Sequence, residues 1–333
     1  MSQRTDTIDI HAHFYPEAYI KLIDKYGGEF GATVDYGKPD APIIRSGAVN
    51  AVLEPRMIDI DERIADMDRI GVGMQAMSMS MPMILWAGAE LQLKLVEAHN
   101  EATAAAHERY PDRLVGLAML PWHDPERALA ELERVAGLPG FRGVYSETRL
   151  DWQRELDDES LYPVYERLED LGWAVFLHPI HVVEPARLKK YFLGNLIGNP
   201  VDTGIAAAHL IFGGILDRYP RLEFCLPHAG GIFPMLFGRW QRGWEMKKGG
   251  LSGEGKSPAD YLGRFHYDTI AHSEEVFSYL LSLVGPERIL LGSDFCFDLG
   301  YDRPVEVVTE HPDLDKPAKS MILGENARRL LHL

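Results

Sequence analysis

The sequence IDIHAH, from Ile8 to His13, alternates three apolar residues with an acid and two histidines. Side chains at positions i and i+2 of a β-strand point to the same side, so His11 and His13 share one face of a strand predicted over residues 7–13. A lone histidine is most often an ordinary core or surface residue. Two histidines at the end of a buried strand instead favour a pair of metal ligands.

Short apolar runs along the rest of the chain predict further strands, and amphipathic runs between them predict helices. With the first included, the predicted strands cover residues 7–13, 74–80, 114–121, 140–148, 174–179, 222–228, 265–272 and 288–294. The predicted helices cover residues 59–70, 89–109, 125–135, 160–171, 203–219 and 274–283. Strands that alternate with helices form parallel sheets, and eight such units predict an α/β fold, the (β/α)8 TIM barrel, in a single domain over residues 1–333. A doubly wound parallel sheet is the alternative.

Residues 14–55 form an insertion after the first predicted strand. They carry no strong helix pattern and contain several glycines and prolines. TIM barrels build their active sites at the carboxyl ends of the strands, so this insertion is predicted to cover the site. An ordinary surface excursion is the alternative.

The composition argues against several classes of protein. The net charge of −16 disfavours nucleic acid as a partner, because phosphate binding needs a basic surface. No apolar run is long enough to cross a bilayer, and the first residues show no signal-peptide pattern. Cys225 and Cys296 cannot form a disulfide framework and are expected to be reduced core thiols. These features predict a cytoplasmic protein that acts on a small molecule.

Three more strand ends carry side chains that can bind a metal or a proton. VFLHPIH places His178 at the end of the fifth predicted strand, FCLPHAGG places His228 at the end of the sixth, and ILLGSDF places Asp294 at the end of the eighth. In a barrel, these ends converge at one mouth.

Together with His11 and His13, His178 and Asp294 would give three neutral nitrogen ligands and one anionic oxygen. This donor set suits Zn²⁺ or another borderline divalent ion. One more position would remain for water or substrate, and a metal-bound water can ionise near neutral pH. His228 then fits best as a catalytic proton-transfer residue. The fourth strand, GFRGVYSET, ends without a lysine that could be carbamylated to bridge two metals, which favours one ion per chain.

The motifs IDIHAH, LHPIH, PHAGGIFPMLFGR and LLGSDFCFDLG, in this order and spacing, resemble the metal-dependent amidohydrolase superfamily. More narrowly, they resemble its decarboxylase branch, typified by 2-amino-3-carboxymuconate-6-semialdehyde decarboxylase. The similarity runs from Ile8 to about Leu330 and includes RIADMDRIGVGMQAMS and GENARRLL. The resemblance implies a (β/α)8 barrel and one Zn²⁺ per chain. It also implies the same ligand set, His228 as a catalytic residue and Asp294 as both ligand and catalytic residue.

The resemblance also implies that arginine binds a substrate carboxylate. Arg239 matches an arginine that grips this group across a dimer interface, so a homodimer is expected; an ordinary surface arginine is the alternative. A second substrate-binding arginine of that branch matches Glu54 here, and Arg56, two residues later, is the candidate replacement. Phe297 and Trp86 are further candidates for the substrate pocket.

The first predicted function is a zinc-dependent decarboxylase, a carbon–carbon lyase, of a small unsaturated or aromatic carboxylic acid, with a role in aromatic catabolism. The alternative is a metal-dependent hydrolase or hydratase that uses the same metal-bound water on an amide, a lactone or a C=C bond. A metal-binding barrel that has lost catalysis is a third hypothesis, and the complete ligand set with His228 argues against it.

Overall fold

A computed structural model describes residues 6–38, 41–47, 49–251, 253, 255–295 and 297–333. Its strands, in chain order, are β1 (Ile8–His13), β2 (Ala32–Asp35), β3 (Ile43–Ser46), β4 (Val49–Val52), β5 (Met74–Ser78), β6 (Leu114–Met119), β7 (Phe141–Glu147), β8 (Ala174–His178), β9 (Phe224–Leu226), β10 (Phe265–Asp268) and β11 (Ile289–Leu290). Eight of them form one parallel sheet in the order β1-β5-β6-β7-β8-β9-β10-β11. Each strand therefore pairs with the next one along the chain, which is the topology of a barrel.

The chain after β11 closes this sheet onto β1. The Ile10 N–H donates to the Leu291 carbonyl oxygen at 2.9 Å, and the His13 N–H donates to the Phe295 carbonyl oxygen at 2.8 Å. The sheet therefore has no open edge between its first and last strands. The predicted (β/α)8 barrel is confirmed, and the doubly wound sheet, which has two open edges, is excluded.

Helices connect the strands and bury one face each. They are α1 (Glu17–Tyr26), α2 (Pro55–Ile58), α3 (Ile60–Ile70), α4 (Ala89–Arg109), α5 (Pro125–Ala136), α6 (Tyr162–Leu171), α7 (Asn199–Phe212), α8 (Ile215–Arg218), α9 (Phe233–Glu245), α10 (Glu274–Val284), α11 (Pro304–Thr309), α12 (Lys316–Ser320) and α13 (Asn326–Leu330). In α5, for example, Ala128, Leu132 and Val135 are fully buried at helical spacing.

Several predicted elements are shorter or divided in the structure. The strands predicted over residues 265–272 and 288–294 cover only Phe265–Asp268 and Ile289–Leu290. Two other elements differ for local reasons. The strand predicted over residues 222–228 ends at Leu226, because Pro227 has no N–H for the ladder and His228 and Ala229 adopt left-handed φ angles of 53° and 54°. The helix predicted over residues 203–219 is two helices, α7 and α8. They are separated at Gly214, whose φ of 76° is incompatible with a continuous helix.

The insertion over residues 14–55 contains more regular structure than its sequence indicated. It forms α1 and an antiparallel sheet of β2, β3 and β4. The helix was not predicted, yet Tyr19, Ile20 and Ile23 form its buried face. The Tyr19 hydroxyl donates to the Met83 carbonyl oxygen at 2.7 Å, which ties α1 to the segment after β5. That the insertion covers the active site stays a prediction.

Cys225 is a free thiol buried in β9, and Cys296 lies outside the described residues. Among the helices that the structure describes, none has the length and apolar character needed to span a membrane.

Candidate metal centre and active site

The strand ends bring the four predicted metal ligands together, and we refer to them as the ligand cluster: His11, His13, His178 and Asp294. The ring centroids of the three histidines lie 4.9–5.1 Å apart. One carboxylate oxygen of Asp294, Oδ1, lies 3.0 Å from His13 Nε2 and 3.4 Å from His11 Nε2. Nitrogen and oxygen atoms therefore converge at the carboxyl end of the barrel, as the sequence predicted.

His228 stands beside this cluster, after β9. Its ring centroid lies 5.3 Å from that of His11 and 5.4 Å from that of His178, and its Nε2 lies 3.8 Å from Asp294 Oδ2. Its side chain is 16% exposed, whereas that of His13 is fully buried. Contact with solvent suits a residue that exchanges protons. Ligand atoms of His11, His178, His228 and Asp294 also lie within 4.8 Å of one another, so geometry alone permits His228 as a ligand. The separate roles of His13 and His228 stay a prediction.

Several nitrogen atoms of the cluster are buried without a hydrogen-bond partner. Within the described part of the chain, these are His11 Nε2 and both ring nitrogens of His178. Buried polar atoms are nearly always paired, so unpaired lone pairs in a group of imidazoles and a carboxylate indicate a cation site. The donor set is that of Zn²⁺ and similar divalent ions, and the residues present therefore fit such an ion.

The electrostatics of the cluster favour metal binding, since ligands must be deprotonated. Burial lowers the pKa of His13 to about 4. Burial and the neighbouring imidazoles lower the pKa of His178 well below its usual value. Burial opposes ionisation of Asp294, but its hydrogen bond with His13 and the nearby imidazoles of His228 and His11 hold its pKa well below the usual range. Burial alone would lower the pKa of His11, but its hydrogen bond to Asp268 and the charge of Asp294 raise that pKa above the usual value. At neutral pH the cluster therefore offers the neutral imidazoles of His13 and His178 and an ionised carboxylate, and a metal must displace any proton held by His11.

Asp268, the last residue of β10, orients both His11 and the turn that carries His228. Its Oδ2 accepts a hydrogen bond from His11 Nδ1 at 2.8 Å and from the His228 N–H at 2.9 Å, and its Oδ1 accepts one from the Ala229 N–H at 2.8 Å. Because Asp268 binds Nδ1 of His11, Nε2 is left to face the cluster. Carboxylates commonly orient metal-binding histidines in this way. The sequence predicted a strand over residues 265–272, which placed Asp268 inside the strand and gave no signal for this role; the observed β10 ends at Asp268.

A second buried acid, Asp9, connects the two chain segments that carry His11 and Asp294. It accepts hydrogen bonds from the His11 N–H at 3.1 Å and from the Ser293 hydroxyl at 2.6 Å. Ser293 precedes Asp294, so Asp9 joins the two strand ends that carry His11 and Asp294. On the other side of β1, Ser78 Oγ lies 3.2 Å from His13 Nδ1 and leaves His13 Nε2 near Asp294.

Four residues are predicted to bind the substrate, and we call them the rim residues: Arg56, Trp86, Arg239 and Phe297. Unlike the ligand cluster, they do not all come together in the structure. The Phe297 ring lies 5.3 Å from the His13 ring, so the structure brings it to the ligand cluster. Arg56 lines a cleft with Phe297 and Asp294. Its guanidinium is, however, paired with Glu54 at 2.7 Å and with Asp66 at 3.1 Å.

The other two rim residues are not brought to the cluster. The Trp86 indole N–H donates to the Met83 carbonyl oxygen at 2.7 Å, between β5 and α4. Arg239 is exposed on α9 and makes no hydrogen bond or ion pair with any residue that the structure describes. This exposure is compatible with a role across an interface and also with an ordinary surface arginine.

A (β/α)8 barrel with imidazoles and a carboxylate at its carboxyl end is the architecture of metal-dependent barrel enzymes. The chain belongs to the amidohydrolase family, which it matches over residues 8–333. It is 31% identical to the 2-amino-3-carboxymuconate-6-semialdehyde decarboxylase of Dictyostelium discoideum, over 99% of this chain and 92% of that protein. The predicted family is therefore confirmed.

Solved structures show the same fold. The 5-carboxyvanillate decarboxylase of Sphingomonas paucimobilis superposes with a TM-score of 0.84 at 23% identity, covering 98% of this chain and 99% of that one. A dihydroxybenzoic acid decarboxylase of Polaromonas sp. JS666, with bound manganese and the inhibitor 2-nitroresorcinol, gives a TM-score of 0.80 at 24% identity, covering 98% and 97%. At these identities, the likeness establishes the fold alone.

Proposed function

We propose that the protein is a metal-dependent decarboxylase of a small aromatic or unsaturated carboxylic acid. The observation that carries this proposal is the ligand cluster, with its unpaired buried nitrogens, beside His228. The full-length similarity to a carboxymuconate-semialdehyde decarboxylase supports the reaction class. The family resemblance carried by the sequence motifs implied the same function.

The ligand cluster would hold the ion through three imidazoles and one carboxylate. A divalent ion in this position supplies a Lewis acid that binds and polarises an oxygen of the substrate. Zinc is our first candidate, because histidine and aspartate form its usual ligands. Manganese is the second, because the Polaromonas decarboxylase binds it.

His228 would deliver the proton that the reaction needs. Decarboxylation breaks the bond between carbon and CO₂ and forms a C–H bond at the same carbon, so one proton must reach that carbon. His228 is the only histidine of the group whose side chain is more than a tenth exposed, so it can draw protons from water. Asp294, 3.8 Å away, faces its Nε2 and holds the imidazole beside the cluster.

We further propose a homodimer in which Arg239 of one subunit binds a substrate carboxylate in the other. A guanidinium offers a planar fork that matches a carboxylate. The support is the exposure of Arg239 together with that of Met235, which is 68% exposed on the same helix. A cytoplasmic location stays a prediction from the sequence.

The experiment that tests the reaction is a measurement of CO₂ on a panel of acids. Metal-loaded protein is incubated with hydroxybenzoates and carboxylated muconates, and released CO₂ is compared with acid consumed. A decarboxylase releases one CO₂ for each acid lost. Consumption of an acid, an amide or a lactone without CO₂ would instead identify the hydrolase or hydratase alternative.

A further inference from the structure

The buried Glu147 and the partly exposed His181 form a pair next to the ligand cluster, and this pair has no part in the function proposed above. Glu147 is the last residue of β7, and its backbone lies beside that of His178 in the register of β7 and β8. Its Oε2 accepts a hydrogen bond from Nδ1 of His181 at 2.6 Å. The pair is therefore at the same mouth of the barrel as the predicted ligands.

The side chain of Glu147 faces the interior of this mouth. Tyr145 lies two residues earlier on the same strand, so its side chain points to the same side as that of Glu147. The Tyr145 ring lies 5.8 Å from the ring of His178 and 6.2 Å from that of His13. Tyr145 thus borders the ligand cluster, and Glu147 follows it one step nearer the open end.

One carboxylate oxygen of Glu147 lacks a hydrogen-bond donor within the described part of the chain. Glu147 is 4% exposed, and its Oε1 is buried without a hydrogen-bond partner among the residues that the structure describes. A buried acceptor without a donor is destabilising, because the lost hydration is not replaced. The arrangement therefore points to a ligand that supplies an O–H or N–H group at this oxygen.

The surroundings of Glu147 suit the body of an unsaturated molecule. Glu147 lines a narrow cleft between the segments that follow β5, β6 and β7, where Met83, Ile84, Leu120 and Trp122 provide apolar walls and His123 and Arg149 add polar groups. Apolar walls with a few oriented polar groups are typical of small-molecule sites. Within this cleft, Glu147 Oε1 is an acceptor that a hydroxyl or amino group can satisfy.

We propose that Glu147, oriented by His181, binds a hydroxyl or amino group of the substrate. The substrate is then an aromatic or unsaturated acid that carries a hydrogen-bond donor in addition to the carboxylate that is lost. This inference rests on the proposed decarboxylase function and names its substrate class. Glu147 is the substrate-binding residue, and His181 is a positioning residue.

The test compares two ligands that differ in one donor. Metal-loaded protein is titrated by calorimetry with 2-nitroresorcinol and with its monomethyl ether, 3-methoxy-2-nitrophenol. Wild type, Glu147→Gln and the control Glu133→Gln are compared; Glu133 lies on α5, does not line this cleft and pairs with Arg167 of α6 at 2.7 Å. We expect wild type and Glu133→Gln to prefer the free diphenol. We expect Glu147→Gln to lose about tenfold to a hundredfold of that preference, the usual range for a hydrogen bond to a charged group.

An unchanged preference in Glu147→Gln, with metal content intact, would overturn the inference. So would wild type that binds both ligands equally or neither of them. If Glu147→Gln does not fold, His181→Gln, which removes the imidazole that orients the carboxylate, must reduce the same preference. Release of CO₂ is measured separately. If the ligand preference depends on Glu147 but no acid releases CO₂, the decarboxylase proposal is refuted and the binding site at Glu147 is retained. If CO₂ is released but the ligand preference does not depend on Glu147, the binding site is refuted and the decarboxylase proposal is retained.

Discussion

The protein holds the ligand cluster and the rim residues in different ways. In the cluster, each side chain is buried and comes from the end of a barrel strand. Asp268 and Ser78 hold His11 and His13 from the side away from the cluster. On the rim, Arg239 is exposed, and Arg56 is bound by nearby carboxylates. The ligand cluster is thus placed by barrel closure, whereas the residues proposed to bind substrate lie mainly on loops and on a surface helix, and the proposed role of Arg239 requires a second chain.

The largest expected effect comes from breaking the ligand cluster itself. His178→Ala should reduce metal content from about one ion per chain to a small fraction, because one of the four protein ligands is lost. Activity should fall with it. Elemental analysis after dialysis measures the metal content. The control is His209→Ala, which should keep its metal, because His209 lies on α7 and its imidazole pairs with Asp157 away from the cluster. Full metal content in His178→Ala would remove this residue from the ligand set.

The second effect concerns proton transfer. His228→Ala should lower turnover by about 10²–10⁴-fold, the range for loss of a general acid–base group. Substrate affinity should change little, because the cluster and the rim are intact. Steady-state kinetics of CO₂ release, run beside an equilibrium binding measurement, separates the two. Loss of binding with unchanged turnover would show that His228 only holds the substrate.

The third effect tests the support behind the cluster. Asp268→Asn weakens the hydrogen bond that orients His11 and should reduce metal affinity by about 10- to 100-fold, as outer partners of metal-binding histidines do. Competition with a chromophoric chelator measures this affinity. If Asp268→Asn binds metal as tightly as wild type, the contact with His11 does not tune the site.

The smallest effect is expected on the rim. Arg239→Ala should weaken substrate binding by about 1.5–3 kcal/mol, the cost of one hydrogen bond to a charged group, with a smaller change in kcat. Arg239→Lys should restore only part of this, because an ammonium cannot form the planar fork. Arg242→Ala, on the same helix and paired with Glu245, is the control.

The dimer interpretation of Arg239 has a test of its own. Mixed subunits of Arg239→Ala and His228→Ala should regain activity if one site of the heterodimer contains both native residues. Absence of recovery in subunits that exchange would place the action of Arg239, if it has one, within its own chain.

The sequence placed the four predicted ligands at one end of the barrel because their signals are local, although several of the predicted strands end two to four residues earlier in the structure. Alternation with a period of two placed His11 and His13 on one face, and the barrel rule placed His178 and Asp294 at the same end. The sequence assigned no role to Glu147. Whether the carboxylate of such a strand-end acid has a hydrogen-bond donor beside it depends on the neighbouring strands. The register of those strands is known from the structure and not from the sequence.

The insertion shows a second limit. The buried face of α1 is formed by Tyr19, Ile20 and Ile23, and the helix is anchored by a tyrosine hydroxyl on a carbonyl from another segment. Nothing local to residues 14–55 announces that partner. Arg56 was the candidate only because it lies two residues after Glu54, where related enzymes have an arginine. Its ion pair with Asp66 of α3 depends on how α3 packs, so the sequence could not predict it.

The central claim is that His13 binds the metal and His228 does not, although both imidazoles lie within reach of Asp294. Metal content measured side by side in His13→Ala and His228→Ala tests it most directly. The account predicts that His13→Ala loses most of its ion while His228→Ala keeps about one per chain. Retention of the ion in His13→Ala together with its loss in His228→Ala would contradict the account and move His228 into the ligand set.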